Sequence, residues 1–354
     1  MNIHQSGGLF QHQGKDVYLF TLKNKAGIEI TISNLGGIIR NFNVPVKGGK
    51  NIDIVLGFDK MEHYLEEEYV KNQAYLGAMI GRYANRIANG SFEIDGQMIR
   101  VSQNIPPHQL HGGIKGFNEK VWKIEKIEEL PNPKISLSYL SKDGEEGFPG
   151  NLDVRVNFVL TEKNELIIET QAFTDKPTAI NLTHHGYFNL NGAGSIGDHL
   201  ITIPAAFYLA QDIDYVTTGE QLNVEGTAYD FRREKRANQN WEDKEGYDQS
   251  FVIDKVYDTW GLAASAYSES SGIKLEVFTD EPTVHFYTGK YLNVKNGKAG
   301  KTYAAFTGFC FETQHHTNAV NIPRFPNTIL RPGEVYKHTT SYCISTGDAH
   351  KGVH

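Results

Sequence analysis

Cysteine is nearly absent from this chain, since only Cys310 and Cys343 occur among its 354 residues. Two cysteines in so long a chain do not build a disulfide framework, so we expect reduced thiols and a cytoplasmic location. Long apolar runs are also missing, and no stretch approaches the roughly 18 residues that a membrane-spanning helix needs. Residues 1–13 are polar and lack the apolar core of an export signal. We therefore expect no association with a membrane.

The chain also lacks any concentration of positive charge. The formal net charge is -7, and basic residues gather only in short clusters such as residues 232–236. A nucleic-acid-binding protein needs a basic patch or stripe, so we expect no such partner. A glycine-rich phosphate loop, an internal repeat and a low-complexity linker are absent as well. The charge therefore disfavours a polyanionic partner and leaves a neutral or cationic small molecule open as the ligand.

Alternation of apolar and polar residues is the dominant pattern that is present. It runs through residues 135–139, 152–158, 274–278 and 283–288. A period of two is typical of half-buried strands. The same runs are rich in β-branched and aromatic residues, which favour strands as well.

Turn signals separate these runs, whereas helix signals are few. Asp95 and Gly96 lie between two runs and predict a tight hairpin. Only residues 60–71 have the pattern of a short helix, and no alternation of strands and helices predicts a parallel sheet. The sequence therefore predicts an all-β fold, a large antiparallel β-sandwich with few short helices. We expect a single domain over residues 1–354, with an ordered core of about residues 10–348.

Residues 307–314 contain a candidate catalytic carboxylate. If they form a strand, its two faces differ in character. Phe309 and Phe311 occupy one face, and small residues surround Glu312 on the other, which leaves room for a ligand. An exposed glutamate on an outer sheet is the commoner explanation when this strand is considered alone.

The histidine pair His184 and His185 lies in a second candidate strand. His185 shares one face with Tyr187 and Asn189, so imidazole, phenol and amide groups come together there. A hydrogen-bonded core histidine is the alternative. Adjacent histidines are weak evidence for a metal, because ligands also need geometry and supporting contacts. The same holds for the pair at residues 315–316, so no metal site is predicted.

Two further segments add polar candidates. His111 precedes Gly112 and Gly113, which allow the backbone to approach a ligand closely, although an incidental histidine in a turn is the alternative. Residues 81–90 contain two Arg and two Asn. A guanidinium suits paired hydrogen bonds to vicinal hydroxyls or a carboxylate, whereas an ordinary surface salt bridge is the alternative.

These segments occur in an order that matches one known family. The matching motifs are GR at 81–82, NRI at 85–87, LHGG at 110–113, GF at 116–117, DGEEGFPGNL at 143–152, NLT at 181–183, His185, YFNL at 187–190, FYTG at 286–289, ETQ at 312–314 and RPGE at 331–334. Several long motifs in the same order make a specific signal. From about residue 27 to residue 345, the sequence resembles the galactose mutarotase (aldose 1-epimerase) family.

The resemblance implies a fold and a set of residue roles. The fold is a galactose mutarotase-like supersandwich, with the sugar in an open cleft on one sheet. By position, His185 resembles the family's general acid, Glu312 its general base and His111 its second active-site histidine. The implied substrate contacts are Asn85, Arg86, Asp248 and His285. No cofactor and no metal are implied.

The implied reaction interconverts the α and β anomers of a sugar by opening and closing its ring. One group must remove the proton of the C1 hydroxyl, and another must protonate the ring oxygen. A carboxylate and an imidazolium suit these two steps. Because histidine titrates nearest to neutrality, a small shift of its pKa keeps His185 protonated, and Glu312 nearby favours that charged form.

The chain departs from the family pattern at a few positions. Gln249 and Ser250 follow Asp248, where relatives often have His and Asn. His184 replaces a common Asn, and His285 replaces a Gln that contacts the sugar in relatives. These departures bear on the preferred sugar more than on the reaction.

The resemblance implies a free hexose such as D-galactose or D-glucose as the small-molecule partner of a monomer or homodimer. A hexose-6-phosphate 1-epimerase is one alternative function. It would need an additional cluster of Arg or Lys for the phosphate, and the net charge of -7 argues against that. A non-catalytic carbohydrate-binding protein is the other alternative, and it would be expected to lack the acid and base residues.

Overall fold

The alternating runs form strands in the computed structural model, which describes residues 2–239, 241 and 245–347. In the strand Leu152–Leu160, every second side chain is buried and those between are partly or fully exposed. Burial of one face only is the direct consequence of a two-residue period. The other predicted runs lie in the strands Lys134–Ser141, Ile273–Thr279 and Thr283–Tyr287. These predictions are confirmed.

The described residues form 29 strands, which we number in chain order. They are β1 (Ile3–Gln5), β2 (Phe10–His12), β3 (Lys15–Val17), β4 (Leu19–Lys23), β5 (Glu29–Ser33), β6 (Ile39–Val46), β7 (Lys50–Asp53), β8 (Ala78–Ile80), β9 (Arg86–Ile87), β10 (Ser91–Ile94), β11 (Gln97–Arg100), β12 (Gln109–Leu110), β13 (Lys123–Glu128), β14 (Lys134–Ser141), β15 (Leu152–Leu160), β16 (Glu165–Thr174), β17 (Thr178–Ala179), β18 (Thr183–His185), β19 (Leu200–Thr202), β20 (Phe207–Gln211), β21 (Thr217–Asn223), β22 (Lys235–Arg236), β23 (Asp248–Val252), β24 (Gly261–Tyr267), β25 (Ile273–Thr279), β26 (Thr283–Tyr287), β27 (Cys310–Gln314), β28 (Ile329–Leu330) and β29 (Tyr336–Thr346).

Three sheets contain most of these strands. The N-terminal sheet has the order β1-β4-β5-β6-β7, the central sheet β13-β14-β15-β16-β29-β25-β24-β19-β22, and the third sheet β21-β20-β23-β26-β27. Neighbouring strands run antiparallel in each sheet. The remaining strands form the pairs β2-β3, β8-β18, β9-β12, β10-β11 and β17-β28.

One continuous hydrophobic core joins the three sheets. Its buried residues include Phe42 of the N-terminal sheet, Val156 and Leu275 of the central sheet, and Phe286 and Phe311 of the third sheet. Apolar side chains that interdigitate between facing sheets are the basis of a β-sandwich. The predicted all-β, antiparallel sandwich is confirmed.

Helices are few and short, as predicted. The described residues contain one α-helix, α1 (Glu67–Asn72), and 3-10 turns at Met61–Leu65, Ala88–Gly90, Phe117–Glu119, Glu145–Gly147, Lys298–Gly300 and Ala319–Asn321. The helix predicted over residues 60–71 is divided, because Glu66 is extended (φ -66°, ψ 138°) between the two pieces. None of the described helices is long and apolar enough to cross a membrane.

The hairpin predicted at Asp95 and Gly96 is confirmed. β10 and β11 pair on either side of these residues, whose φ angles are 49° and 78°. Two positive φ angles in a two-residue loop define a type I′ turn, for which Asp-Gly is a preferred pair.

The single domain over residues 1–354 stays a prediction. That span includes residues 1, 240, 242–244 and 348–354, which lie outside the described part of the chain. The predicted end of the ordered core, residue 348, belongs to this group.

Candidate active site

The third sheet has one apolar and one polar face. Phe286 of β26 and Phe311 of β27 belong to the hydrophobic core. The residues that alternate with these phenylalanines along each strand point to the opposite face. There the strand register places Ser250 beside His285, and His285 beside Glu312. Alternation in three adjacent strands therefore collects polar groups on one surface. The predicted separation of Phe311 and Glu312 onto opposite faces is confirmed, although β27 starts later than predicted.

Glu312 is a buried carboxylate with an unpaired oxygen. Its exposed fraction is 1%, and no hydrogen-bond donor among the described residues reaches its Oε2. Buried polar atoms are nearly always hydrogen-bonded in folded proteins, so an unpaired oxygen beside a cavity indicates a ligand. The exposed-glutamate alternative is therefore wrong for Glu312.

His185 lies at the end of β18, beside Glu312. Its Nε2 is 3.5 Å from Glu312 Oε1, and the side chains of both residues are buried. A 2.8 Å hydrogen bond from Thr183 Oγ1 to Thr313 O holds β18 against β27. The other ring nitrogen of His185, Nδ1, is 3.6 Å from Cys310 Sγ. Imidazole and carboxylate therefore form a close pair although they are distant in sequence.

His111 reaches the same region from the loop after β12. It has a left-handed conformation (φ 51°), and Gly112 follows with φ 87°. A Cβ atom at Gly112 would lie 1.9 Å from the carbonyl oxygen of Gly81, so only glycine fits there. The backbone N–H of Asn85 donates to His111 Nδ1 over 3.2 Å. Gly112 thus lets its segment pack closely against the backbone of Gly81. The sequence had predicted that this glycine allows a close approach to a ligand.

Asp248 and His285 form a second acid–histidine pair on the polar face. Asp248 Oδ1 is 2.9 Å from His285 Nε2, and both side chains are largely buried. His285 Nδ1 is 2.8 Å from Ser250 Oγ. Both ring nitrogens of His285 therefore have a hydrogen-bond partner.

All seven predicted site residues line one cavity of about 220 Å³. They are Asn85, Arg86, His111, His185, Asp248, His285 and Glu312. The further lining residues are Asn72, Gln73, Ala74, Leu110, Tyr187, Tyr287, Tyr291 and Leu292. A few convergent polar groups among aromatic and apolar side chains are typical of a small-molecule site. The structure thus brings the predicted residues together, while their individual roles stay predictions.

The two arginines of residues 81–90 have different environments. Arg86 lines the cavity, and no acceptor among the described residues binds its Nε. Arg82 is 2% exposed and donates to Ser141 Oγ and to the backbone oxygens of Ser141, Lys142 and Pro149. Arg82 is therefore a structural residue, and Arg86 is the one available to a ligand.

We expect Arg82→Ala to destabilise the fold. It would leave several buried carbonyl oxygens without a donor, and each such group costs about 1–3 kcal/mol. The free energy of unfolding, measured by urea denaturation, should fall by roughly 3 kcal/mol or more. The control is Arg155→Ala, which removes an exposed ion pair with Asp153 and should cost less than about 1 kcal/mol. An equally small cost for Arg82→Ala would contradict the structural role.

Burial moves the pKa values of Glu312 and His185 in opposite directions. Desolvation raises the pKa of Glu312 to about 7, although the charges of His285 and Arg86 oppose the shift. Desolvation lowers the pKa of His185 to about 3, because burial penalises the imidazolium. The expectation that His185 is protonated is therefore wrong for the free cavity. The loss of hydration outweighs the two effects that raise this pKa, which are a backbone hydrogen bond and the charge of Asp248.

His111 is neutral, whereas Asp248 is ionised. Burial lowers the pKa of His111 well below its usual value, and the charges of His185 and Arg86 add to the shift. Burial alone would raise the pKa of Asp248, but the hydrogen bond from His285 outweighs it, so this pKa lies below its usual value. The cavity therefore combines a neutral imidazole with an ionised carboxylate.

The donor set of the cavity does not fit a metal ion. Ligand atoms of His111, His185 and Glu312 lie within 4.8 Å of one another, which is a spacing that a metal can bridge. However, Nδ1 of His111 accepts the N–H of Asn85, so the proton of the neutral ring lies on Nε2. Neither nitrogen of His111 then offers a free lone pair, which a metal ligand requires. This chemistry supports the prediction that the site needs no metal.

The other adjacent histidines lie outside the cavity and have separate environments. Nε2 of His184 is 2.9 Å from a backbone carbonyl oxygen in the core. His315 Nδ1 is 2.6 Å from a carboxylate oxygen of Glu281, whereas His316 packs against the ring of Phe325. The core-histidine alternative is therefore correct for His184.

No sequence signal pointed to Tyr75, which packs against two of the three site histidines. Its ring centroid is 4.8 Å from that of His111 and 5.9 Å from that of His185. Tyr187 lines the cavity beside His185, as alternation predicted. Asn189, which was expected on the same face, instead donates to two backbone carbonyls, because β18 has already ended at His185.

Known proteins share both the sequence pattern and this architecture. The sequence profile described as aldose 1-epimerase matches residues 18–343. Galactose mutarotase from Homo sapiens is 40% identical over 323 residues, which cover 90% of this chain and 91% of that protein. The chain belongs to the aldose 1-epimerase family. Aldose 1-epimerase from Escherichia coli K12 is 33% identical over 338 residues, with coverage of 93% and 95%.

Solved structures agree with the fold of this aldose 1-epimerase family member. An aldose epimerase homologue from C. elegans has a TM-score of 0.85 at 33% identity, covering 93% of this chain and 98% of that one. Galactose 1-epimerase from Lactobacillus acidophilus also has a TM-score of 0.85, at 24% identity, with coverage of 98% and 99%. The predicted galactose mutarotase-like sandwich is therefore confirmed.

Proposed function

We propose that this protein is an aldose 1-epimerase, an isomerase that interconverts the α and β anomers of free hexoses such as D-galactose and D-glucose. The observation that carries the proposal is the buried pair of Glu312 and His185, with Oε1 and Nε2 3.5 Å apart on the cavity wall. Membership of the family supports the same reaction. A buried carboxyl group beside an imidazole in a cavity, with a pKa near neutrality, favours catalysis over binding alone.

Ring opening requires one proton to leave the sugar and another to arrive. We propose that Glu312 takes the proton of the C1 hydroxyl through Oε2, which has no other partner among the described residues. His185 gives a proton to the ring oxygen as the C1–O5 bond breaks, and C1 becomes an aldehyde carbon. Rotation about C1–C2 exposes the other carbonyl face, and closure returns both protons. Positioned proton transfer of this kind contributes about 10²–10⁴-fold to a rate.

The pair carries the single proton that this mechanism needs. With pKa values of about 7 for Glu312 and about 3 for His185, the proton lies on the carboxyl group in the free cavity. When the 3.5 Å separation shortens to a hydrogen bond, transfer of this proton gives a carboxylate and an imidazolium without changing the net charge of the pair. Hydrogen bonds from sugar hydroxyls to the carboxylate favour this ionic form. Hexose binding therefore prepares the base and the acid together.

Three other residues supply the proposed contacts to the sugar. Neutral His111, with Nδ1 occupied, presents an Nε2–H donor that suits an oxygen gaining charge during ring opening. Arg86 offers a guanidinium with an unpaired Nε, and ionised Asp248 accepts hydrogen bonds from sugar hydroxyls. These groups bind and orient the hexose, and Glu312 with His185 moves its protons.

Arg86→Ala should weaken hexose binding more than it slows the chemical step. Hydrogen bonds to a charged group are worth ~1.5–3 kcal/mol, so the galactose KM should rise by about tenfold to a hundredfold. Because the charge of Arg86 lowers the pKa of Glu312, the alkaline limb of the kcat/KM profile should move to higher pH. Polarimetry across pH 5 to 9 measures both effects.

The control for Arg86→Ala is Arg236→Ala, which removes exposed ion pairs with Asp198 and Glu269. It should change neither KM nor the pH profile, because exposed ion pairs contribute little. A galactose KM for Arg86→Ala equal to that of the wild type would remove Arg86 from the binding site.

Optical rotation tests the proposed function directly. Freshly dissolved α-D-galactose and α-D-glucose should approach equilibrium at rates that increase in proportion to protein concentration. α-D-Glucose 6-phosphate should be a poorer substrate, because ionised Asp248 would repel a phosphate dianion. No acceleration with any free hexose would contradict the proposal, and a preference for the phosphate would favour the hexose-6-phosphate alternative.

We propose that the protein acts without a cofactor, as a single domain and as a monomer or homodimer in the cytoplasm. The shared hydrophobic core of the three sheets supports one domain. Cys310 and Cys343 are free thiols, which suits a reducing compartment. Light scattering during size-exclusion chromatography would decide between the two oligomeric states.

A further inference from the structure

Ser250 belongs to the polar face of the third sheet but does not line the cavity, and it takes no part in the proposed proton transfers. Its exposed fraction is 0%, and its Oγ is 2.8 Å from His285 Nδ1. On the other side of that ring, Nε2 is 2.9 Å from Asp248 Oδ1. The order Ser–His–Asp is also that of a nucleophilic triad. A nucleophilic role is excluded here, because Ser250 is fully buried and lines neither cavity that Asp248 borders.

Asp248 determines where the hydrogens lie along this row of contacts. An ionised carboxylate only accepts hydrogen bonds, so Nε2 of His285 must carry a hydrogen. If His285 is neutral, its Nδ1 accepts the hydroxyl hydrogen of Ser250. If His285 is protonated, Nδ1–H donates to the hydroxyl oxygen instead. Because a hydroxyl can both donate and accept a hydrogen bond, Ser250 can orient the ring of His285 in either case.

We infer that Ser250 is a positioning residue for sugar recognition. Its hydroxyl orients the imidazole of His285, and that imidazole holds Asp248 with one carboxylate oxygen free to accept a hydroxyl of the hexose. This inference rests on the proposed function, since it names residues that set how tightly the same site binds its sugar.

The surroundings of His285 explain why its orientation matters. Across the strands, His285 has Ser250 on one side and Glu312 on the other. Without the hydroxyl of Ser250, the ring is free to rotate toward Glu312, and its hydrogen bond to Asp248 is weakened. Asp248 also borders a second cavity of about 370 Å³, toward which a released carboxylate would turn. The sugar would then lose one of its acceptors.

Ser250→Ala tests the inference with D-galactose as the probe. We expect the KM from polarimetry and the Kd from isothermal titration calorimetry to rise by about fivefold to tenfold, the usual effect of one hydrogen bond. The kcat should change by less than about twofold, because Glu312 and His185 keep their geometry. Ser250→Cys, which has a weaker donor of similar size, should give intermediate values. An unchanged KM and Kd for Ser250→Ala would overturn the inference.

Variants of His285 distinguish positioning from a general effect on packing. His285→Gln has an amide that can donate to Asp248 and accept from Ser250, so its KM should stay within about threefold of the wild-type value. His285→Ala interrupts the row of contacts, so combining it with Ser250→Ala should raise KM no further. Additive effects of the two alanine substitutions would mean that Ser250 acts independently of His285, and would also overturn the inference.

A matched control and a direct binding measurement complete the test. Ser265→Ala changes a buried serine of β24 in the central sheet and should leave KM unaltered. If the wild type fails to accelerate mutarotation, the proposed function is wrong, yet calorimetry still reports whether Ser250 sets galactose affinity. If the wild type is active and folded Ser250→Ala binds galactose equally well, only the positioning inference is wrong.

Discussion

Glu312→Gln should abolish most of the mutarotase activity and leave hexose binding nearly intact. The amide has the size of the carboxylate and still hydrogen-bonds to a hydroxyl, but it does not accept a proton. The kcat should therefore fall by about 10³-fold, within the range known for positioned general bases. The Kd for galactose should change by less than about fivefold. Polarimetry on fresh α-D-galactose measures the first quantity, and calorimetry measures the second.

The same substitution should stabilise the folded protein at alkaline pH. Burial raises the pKa of Glu312 from its usual 4.5 to about 7. Below pH 4.5 both the folded and the unfolded state hold this proton, so burial of the carboxyl group has no pH-dependent cost. Between 4.5 and 7 the unfolded state releases the proton first, so the free energy of unfolding falls as the pH rises. Above pH 7 the full cost of about 3 kcal/mol is present, and Glu312→Gln removes it.

Thermal unfolding at two pH values checks this pH-dependent cost to stability. The Tm of Glu312→Gln should exceed that of the wild type at pH 8 and approach it at pH 4.5. The control is Glu276→Gln in β25, which removes an ion pair with Lys274. It should leave kcat unchanged, and its Tm should stay close to that of the wild type at both pH values. A kcat for Glu312→Gln within about tenfold of the wild type would remove Glu312 as the base. A lower Tm at pH 8 would mean that the carboxylate stabilises the fold.

His185→Asn should lower kcat by about 10²-fold or more, because the ring oxygen loses its proton donor. The substitution should also reverse the pH dependence. In the wild type, kcat/KM should fall as the pH rises through about 7, since the pair of Glu312 and His185 then loses the carboxyl proton that the mechanism transfers. In His185→Asn, the residual activity depends on ionised Glu312 alone and should increase through the same pH range.

Polarimetry from pH 5 to 9 measures both profiles. The control is His12→Asn in β2, which lies outside the cavity and should keep the wild-type profile. If His185→Asn has the same pH profile as the wild type, His185 is not the acid, whatever the size of the loss in kcat.

The strand content and the direction of side chains were predictable because both follow from local sequence. The two-residue period placed Phe311 in the core and Glu312 on the opposite face before any neighbouring strand was known. The Asp95-Gly96 hairpin was equally local, because its turn needs only two residues that tolerate positive φ. The helix predicted near Glu66 was divided by one extended residue, which periodicity alone does not reveal.

Composition and spacing did not distinguish neighbouring residues of one segment, and only the family resemblance pointed to Arg86 rather than Arg82. Arg82 and Arg86 belong to the same matching segment, yet one is bound to backbone carbonyls and the other lines the cavity. Tyr75 carried no signal at all, although its ring packs against His111 and His185. Such differences depend on where the chain turns and on what packs against it from elsewhere.

The protonation of His185 was predicted wrongly for a related reason. The ordinary pKa of histidine lies near neutrality, and a nearby carboxylate usually favours the charged ring. Burial of His185 and Glu312 removes the water that would stabilise either charge, and it moves their pKa values toward the neutral forms. The degree of burial is a property of the folded chain and is not visible in residues 183–185.

The sequence by itself determined that this protein is built from antiparallel strands, which side chains of each strand are apolar, and which family its motifs match. These properties depend on residues that are adjacent or two apart, and on their order along the chain. Only the tertiary structure decided that His111, His185, Asp248 and Glu312 surround one cavity, and that Ser250 supports Asp248 through His285. Such contacts depend on strand register and loop paths between distant segments, which no local period specifies.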